Sequence, residues 1–314
     1  MRREQPGPDA LVRSAYIAHR HFVEGRTRIE IAEETGLSRF KVGRVLDEAV
    51  SSGLVTFQIA SPSGIDLDLS IKLTRAFTLD RAVAVNVPSE QPEVMQQYLG
   101  GTAADLVTEI LTDDDVFGLT SGRTINALAR ALKTLPSCEV VQLAGIAGPI
   151  QETGIETIRR VSAIAGVRPW TIYAPLVASM ASTAEGLLQQ PEIRDTFAQF
   201  ARVSVAVVAV GSWNPADSQM MQNPALGAED RDKLVARGVR AEVGATLVGD
   251  GGEIIHDLDN RCLAIPEAQL RRIPQVIAVA GGAAKTEAIR AVLASGLVHS
   301  LVTDAATARR LIGA

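Results

Sequence analysis

The sequence predicts two folds in series: an all-α, winged helix-turn-helix over residues 1–59 and a doubly wound α/β domain with a mostly parallel sheet over residues 67–314. Three observations lead there. Residues 28–53, RIEIAEETGLSRFKVGRVLDEAVSSG, carry apolar side chains at helical spacing on both sides of a glycine. Residues 60–66, ASPSGID, hold two serines, a proline and a glycine and read as a linker. Beyond them, runs of β-formers alternate with helical segments almost to the C-terminus, the pattern of strands joined by crossover helices.

Composition agrees with a globular chain that has one large core and a small one. Of 314 residues, 46% are hydrophobic and 21% charged, enough apolar side chains for a sizeable core. The net charge is −5, yet residues 1–60 hold nine Lys/Arg against eight Asp/Glu, so positive charge is local rather than domain-wide. One such module has little electrostatic affinity for nucleic acid, which favours action as a dimer or higher homo-oligomer. Cys138 and Cys262 are far apart with no Cys-x-x-Cys pair, so no disulfide framework, metal site or cofactor is expected, and the reduced cytoplasm is the natural setting. The basic start has no apolar run behind it, and no later stretch has the length of a charge-free membrane span. Neither export nor membrane insertion is expected.

In the first fold, residues 9–23 have the helical pattern Leu11, Val12, Ala15, Ile17, Ala18, Phe22 and Val23, ended by Gly25. Residues 29–34 form the second helix, beginning after Thr27. Ala32 sits where two helices touch, and Gly36 supplies the positive φ of the turn. Ser38 is placed to cap the third helix, in which Val42, Val45 and Leu46 close a core with Ile31 and Leu37. That helix carries Arg39, Phe40, Lys41 and Arg44 away from the core and has no acidic residue before Asp47. It has the properties of a recognition helix whose first turn enters the major groove of double-stranded DNA, where Arg and Lys pair with guanine or phosphate. Thr27, Ser38, Arg39, Phe40, Lys41 and Arg44 are the candidate DNA contacts. Residues 54–59, LVTFQI, are rich in β-formers and are expected to form a short wing strand.

Beyond the linker the elements follow in order. Strands are expected at residues 81–87, 116–119, 139–143, 171–173, 203–210, 262–265, 276–279 and 301–302. Helices are expected at 93–111, 125–133, 152–165, 193–200, 231–237, 267–272, 285–293 and 305–312. The run VSVAVVAV at 203–210 has no charge and suits a strand buried on both faces. In such folds ligands bind beyond the carboxyl ends of the strands. The residues there are Thr120, Ser121, Gly122, Arg123 and Thr124; Gly145 and Gly148; Ala174 and Pro175; Gly211 and Ser212; and Gly281, Gly282 and Lys285.

Glycines, hydroxyls and basic residues in such positions suit an anion: backbone N–H groups face it, Gly admits it closely, and hydroxyls add donors. TSGRT, residues 120–124, is the sharpest of these stretches, though an ordinary capped βα turn has a similar composition. Arg123 offers a planar fork and Lys285 a point charge. A lysine in the first turn of a helix opposes the macrodipole, and an anionic ligand would remove that conflict.

Taken together, a DeoR-like helix-turn-helix followed by GLTSGRTINALA, VVQLAGIAG, VAVVAVGSW and LRRIPQVIAVAGGAAKTEAIRAVLASGLVHSLVTDAATARRLI resembles the SorC family of bacterial transcriptional regulators over nearly the whole chain. The resemblance implies a homo-oligomer, often tetrameric, acting as a repressor or activator. It also implies a C-terminal domain with a sugar-phosphate isomerase-like fold that binds a sugar or phosphosugar effector. Carried over by position, Thr120, Ser121, Gly122, Arg123, Thr124 and Lys285 would hold the effector phosphate, with Gly145 and Gly211 lining the pocket. The family commonly has an acidic residue after the Gly of its AVGD segment; here Ala245 follows Gly244, and Glu242 and Asp250 are the nearby carboxylates.

The rival class is a sugar-phosphate isomerase or related lyase on the same sheet, which needs an acid/base pair in the pocket. His19 and His21 fall in the first fold, His256 in a turn-rich stretch and His299 just before a strand. Asp304 follows the last strand and is expected to cap the last helix. Catalysis therefore ranks below binding. A purely structural module would leave the TSGRT and GGAAK loops unexplained.

Overall fold

The computed structural model describes residues 7–57, 64–147, 154–213, 217, 218 and 220–313, in two units, Met1–Ala60 and Ser61–Ala314. In the first unit, helix caps fix where each element starts. Helix α1, Pro8–Phe22, opens on a proline whose missing N–H is not needed in the first turn. Helix α2, Arg28–Thr35, begins in a capping box: Thr27 Oγ1 accepts from Glu30 N at 3.3 Å and Glu30 Oε2 accepts from Thr27 N at 2.8 Å. Gly36 ends it at φ 66°, a left-handed conformation that a side chain would strain. Ser38 Oγ accepts from Lys41 N at 3.3 Å to start α3, Arg39–Ser51. Ile17, Ala18, Ile31, Val42, Leu46 and Ala49 form the core, with Ala32, Leu37 and Val45 packed against it.

The wing strand expected over residues 54–59 is absent from residues 54–57, which are bends and irregular chain. Phe57 sits edge-on to Phe22, ring centroids 5.1 Å apart, instead of entering a ladder. Gln58 and Ile59 lie outside the described residues.

The second unit begins earlier than its composition suggests. Ile65 and Asp66, expected at the end of the linker, form β1, Ile65–Asp66, which pairs antiparallel with β2, Arg81–Val85. Asp66 Oδ1 accepts from Leu69 N at 3.1 Å and caps α4, Leu67–Ala76. The alternating leucines there have strand spacing, but Leu69 and Leu73, four apart, bury one helical face.

Next come α5 (Pro92–Ile110), β3 (Val116–Leu119), α6 (Arg123–Ala131), β4 (Glu139–Gln142), α7 (Gly154–Ala165), β5 (Pro169–Trp170), α8 (Ala181–Leu188) and α9 (Pro191–Gln199). After them run β6 (Val205–Ser212), α10 (Ala228–Ala236), β7 (Val239–Val243), β8 (Thr246–Gly249), β9 (Ile254–Ile255) and α11 (Glu267–Leu270). The chain closes with β10 (Gln275–Val279), α12 (Thr286–Ala294), β11 (Ser300–Asp304) and α13 (Ala305–Ile312).

The strands lie in the order β1-β2-β11-β10-β6-β3-β4-β5, and every pair from β2 to β5 is parallel. Some elements depart from expectation. Residues 171–173 follow β5 as irregular chain. Residues 262–265 make isolated bridges, Ala264 to Ala144 and Cys262 to Val177, rather than a strand. And β6 runs on to Ser212, where Val210, Gly211 and Ser212 pair antiparallel with β7, opening a β7-β8-β9 extension. Gly244 lies in the turn from β7 to β8, and Gly251 and Gly252 lie between β8 and β9.

Both sheet faces are covered. Val205 and Val207 join the layer of α5, α6 and α7, while Ala206, Val208 and Val210 face the layer of α4, α12 and α13. From β3 the chain winds outward through β4 to β5, and from β6 it winds the other way through β10 to β11. The winding therefore reverses between β3 and β6, the topological switch point, where a crevice opens beyond the strand ends.

Candidate functional site

A cavity of about 280 Å³ lies at that switch point. Thr120, Ser121, Gly122, Arg123, Thr124, Gly145, Gly211 and Lys285 all line it, so residues from four strand ends meet in one place. Gly148 lies outside the described residues. Ala174 and Pro175, beyond β5, and Ser212, the last residue of β6, do not line the cavity; Ser212 Oγ instead donates to Ala284 O at 3.4 Å.

The loop after β3 is set by its own polar groups. Thr120 Oγ1 accepts from Ala209 N at 3.0 Å, which ties this loop to β6. Gly122 precedes α6, and Asn126 N donates to Gly122 O at 2.8 Å as the first helical bond. The same bond leaves the preceding N–H groups of the helix's first turn outside its hydrogen-bond ladder, beside the cavity. Ser121 Oγ is buried with no hydrogen-bond partner among the described residues. Arg123 reaches across to Asp217, Nη2 to Oδ1 at 3.2 Å.

Lys285 is not in the first turn of a long helix as expected. It closes the short 3-10 turn Ala283–Lys285 and directly precedes α12. Its Nζ donates to Val210 O at 2.8 Å, and burial holds its pKa below the ordinary lysine value. Asp304 behaves as the sequence predicts for a cap: Oδ1 accepts from Thr307 N at 2.8 Å. Its other oxygen accepts from Gly282 N at 2.8 Å, which fixes the loop carrying Lys285.

Sequence reasoning left Glu242 as one of two carboxylates near Ala245. The structure separates the two. Asp250 is exposed, paired with Arg240 (Nη2 to Oδ2, 2.8 Å) and away from the cavity. Glu242 is buried and lines the cavity, whereas Ala245 does not. Its Oε2 accepts from Ser218 Oγ at 3.2 Å, and burial pushes its pKa up to about 7. Gly211 makes room for it, because a Cβ there would fall on the Glu242 side chain. Asp217 and the α5 residues Met95 and Gln96 also line the cavity and were not predicted. They follow no apolar strand, the one signal used to find the rest.

The histidines are elsewhere. His256 Nδ1 lies 2.6 Å from Asp259 Oδ2, His299 Nδ1 accepts from Val276 N at 3.1 Å, and neither lines the cavity. Among the described residues, no group of three or more His, Cys, Asp or Glu side chains is arranged to hold a metal ion.

In the first unit, Arg39, Phe40, Lys41 and Arg44 are exposed along α3. The Arg39 guanidinium lies 4.9 Å from the centre of the Phe40 ring, which is itself 73% exposed as a residue. Thr27 and Ser38 use their hydroxyls as caps of α2 and α3. No described helix is long and apolar enough to cross a membrane.

A family model described as "Putative sugar-binding domain" matches residues 62–313. The chain is 28% identical to the transcriptional regulator LsrR of Enterobacter sp. (strain 638), covering 95% of this chain and 92% of that one. It is 27% identical to the erythritol catabolism regulatory protein EryD of Brucella abortus (strain 2308), covering 93% and 94%. Among solved structures, the full-length sorbitol operon regulator SorC from Klebsiella pneumoniae shares the fold. It has a TM-score of 0.73 at 24% identity, covering 97% of this chain and 99% of that one. With the family model matched across most of its length, the chain belongs to the SorC family of sugar-binding transcriptional regulators.

Proposed function

We propose that this protein is a transcriptional regulator of carbohydrate metabolism that binds operator DNA through its first unit and a sugar or phosphosugar effector in the cavity of its second. The observation that carries the reading is the meeting of the TSGRT loop, Gly145, Gly211 and Lys285 around one cavity. Backbone N–H groups at the start of α6, the hydroxyls of Thr120, Ser121 and Thr124, and the cations Arg123 and Lys285 form an anion-binding wall. Operator contact falls to Arg39, Phe40, Lys41 and Arg44 on α3, with Thr27 and Ser38 at the helix starts.

Binding rather than catalysis is supported by relatives that are named as transcriptional regulators and by histidines that lie away from the cavity. The protein works in the cytoplasm as a homo-oligomer, a dimer or tetramer, so that paired readers meet half-sites about one helical turn, or a multiple, apart. Effector binding favours one subunit arrangement and thereby changes the separation of the readers.

The test is a fluorescence-anisotropy titration of the full chain on DNA from upstream of its own gene, at fixed salt, with a panel of sugars and sugar phosphates. Specific binding that one compound alters is the expected result. No binding to any upstream fragment, together with turnover of one of the sugars, would replace this reading with the enzyme one.

A further inference from the structure

Among the described residues three carboxylates line the cavity, and they are not equivalent. Glu90 pairs with Arg310 at 3.3 Å and Asp217 with Arg123 at 3.2 Å. Glu242, the buried one, has no ion pair among the described residues. Its known donors are the Ser218 hydroxyl at 3.2 Å and the Met220 backbone N–H. A carboxylate offers about four lone-pair sites, so these two donors leave acceptor capacity on a side chain that borders the cavity. Keeping a carboxylate in such a place is costly unless donors reach it. The glycine at position 211, whose missing Cβ gives Glu242 its space, shows that the neighbouring strand accommodates the group.

We propose that Glu242 is a specificity-determining residue, its carboxylate accepting hydrogen bonds from the hydroxyls of a phosphorylated sugar or polyol whose phosphate rests on the Thr120–Thr124 and Gly281–Lys285 loops. The proposal rests on the effector reading above and adds the orientation of the ligand. An anionic group at Glu242 would meet a carboxylate, whereas Arg123 and Lys285 offer cations. The phosphate therefore sits at the cationic wall, and the hydroxyl-bearing carbons point to β7. Inorganic phosphate engages only the first of these subsites.

The experiment is calorimetric titration of the full chain with inorganic phosphate, with a panel of five- and six-carbon sugar and alditol phosphates, and with their unphosphorylated parents. Two variants are compared with the wild type. Glu242→Gln is nearly isosteric, and Gly211→Ala leaves Glu242 in the sequence but puts a methyl group where its side chain stands. The expected result is that the best sugar phosphate loses at least tenfold in affinity in both variants, while inorganic phosphate binds Glu242→Gln as it binds the wild type. Unchanged affinity for the sugar phosphate in both variants would overturn the role of Glu242 and leave the effector reading standing. A wild type that binds no member of the panel would overturn both. Binding of an unphosphorylated polyol that Glu242→Gln abolishes would support the role of Glu242 and remove the phosphate from the effector reading.

Discussion

At the scale of single residues, burial of Glu242 links stability to pH. Its carboxyl has a pKa of about 7 where an exposed glutamate has 4.5, and desolvation is the main cause. Between those values the folded chain holds a proton that the unfolded chain has released. Unfolding stability therefore falls as pH rises through this window and levels off above about 7. Glu242→Gln has no such proton. We expect the variant to match the wild type near pH 5 and to exceed it at pH 8 by about 1–3 kcal/mol, read from urea midpoints at the two pH values. The same difference at both pH values would separate the effect from this proton. Asp304 is buried, and its two oxygens accept backbone N–H bonds, one from Thr307 and the other from Gly282. Asp304→Ala strands the Thr307 N–H, whereas Gly282 N keeps Thr307 Oγ1 at 2.9 Å, and is expected to cost about 1–3 kcal/mol, measured by the same unfolding curves.

At the scale of elements, the packing of α5 on α6 depends on one glycine of a pair. A Cβ at Gly100 would lie 2.6 Å from Ala127 Cβ and 2.6 Å from Leu128 N, so backbone stands in the way. At Gly101 nothing lies within 4 Å. Gly100→Ala is expected to destabilise by about 1–3 kcal/mol through overpacking, and Gly101→Ala to stabilise by about 0.5–1 kcal/mol through helix propensity. Thermal unfolding of the two variants reads the contrast; equal shifts would mean that α5 and α6 do not pack closely here. The sequence shows both glycines side by side and cannot rank them, because the difference lies in a partner 27 residues away. The same limit explains which elements were legible. The strands β3, β6 and β10 are apolar runs, and their ends and following loops deliver Thr120–Thr124, Gly211 and Lys285 to the cavity. The β7-β8-β9 extension is short, antiparallel and broken by glycines, so its period never extends far enough to be read. Glu242 went unassigned for that reason. The α4 leucines alternate as a strand would, and only the Asp66 cap resolves them as a helix.

At the scale of the whole molecule, the proposed function requires two binding activities that separate by mutation and couple by thermodynamics. Arg44 is exposed on α3 in the first unit, and Lys285 lines the cavity in the second. Arg44→Ala is expected to weaken operator binding at least tenfold and to reduce its salt dependence, since a lost phosphate contact removes about one unit of slope. Effector affinity measured without DNA should be unchanged. Lys285→Ala should bind operator as the wild type does and lose its response to a phosphorylated effector. Coupling adds a stricter requirement. If effector changes operator affinity by some factor, operator must change effector affinity by the same factor, because both describe one free-energy difference between two arrangements of the assembly. A coupling of about 1–3 kcal/mol corresponds to roughly 5- to 150-fold in either direction. Titrating effector into the full chain with and without saturating operator, and operator with and without saturating effector, measures the factor twice. Agreement between the two, with Lys285→Ala bringing both to one, is the expected outcome. A response of operator binding with no reciprocal change in effector affinity would mean that the compound acts somewhere other than on the chain that holds the DNA.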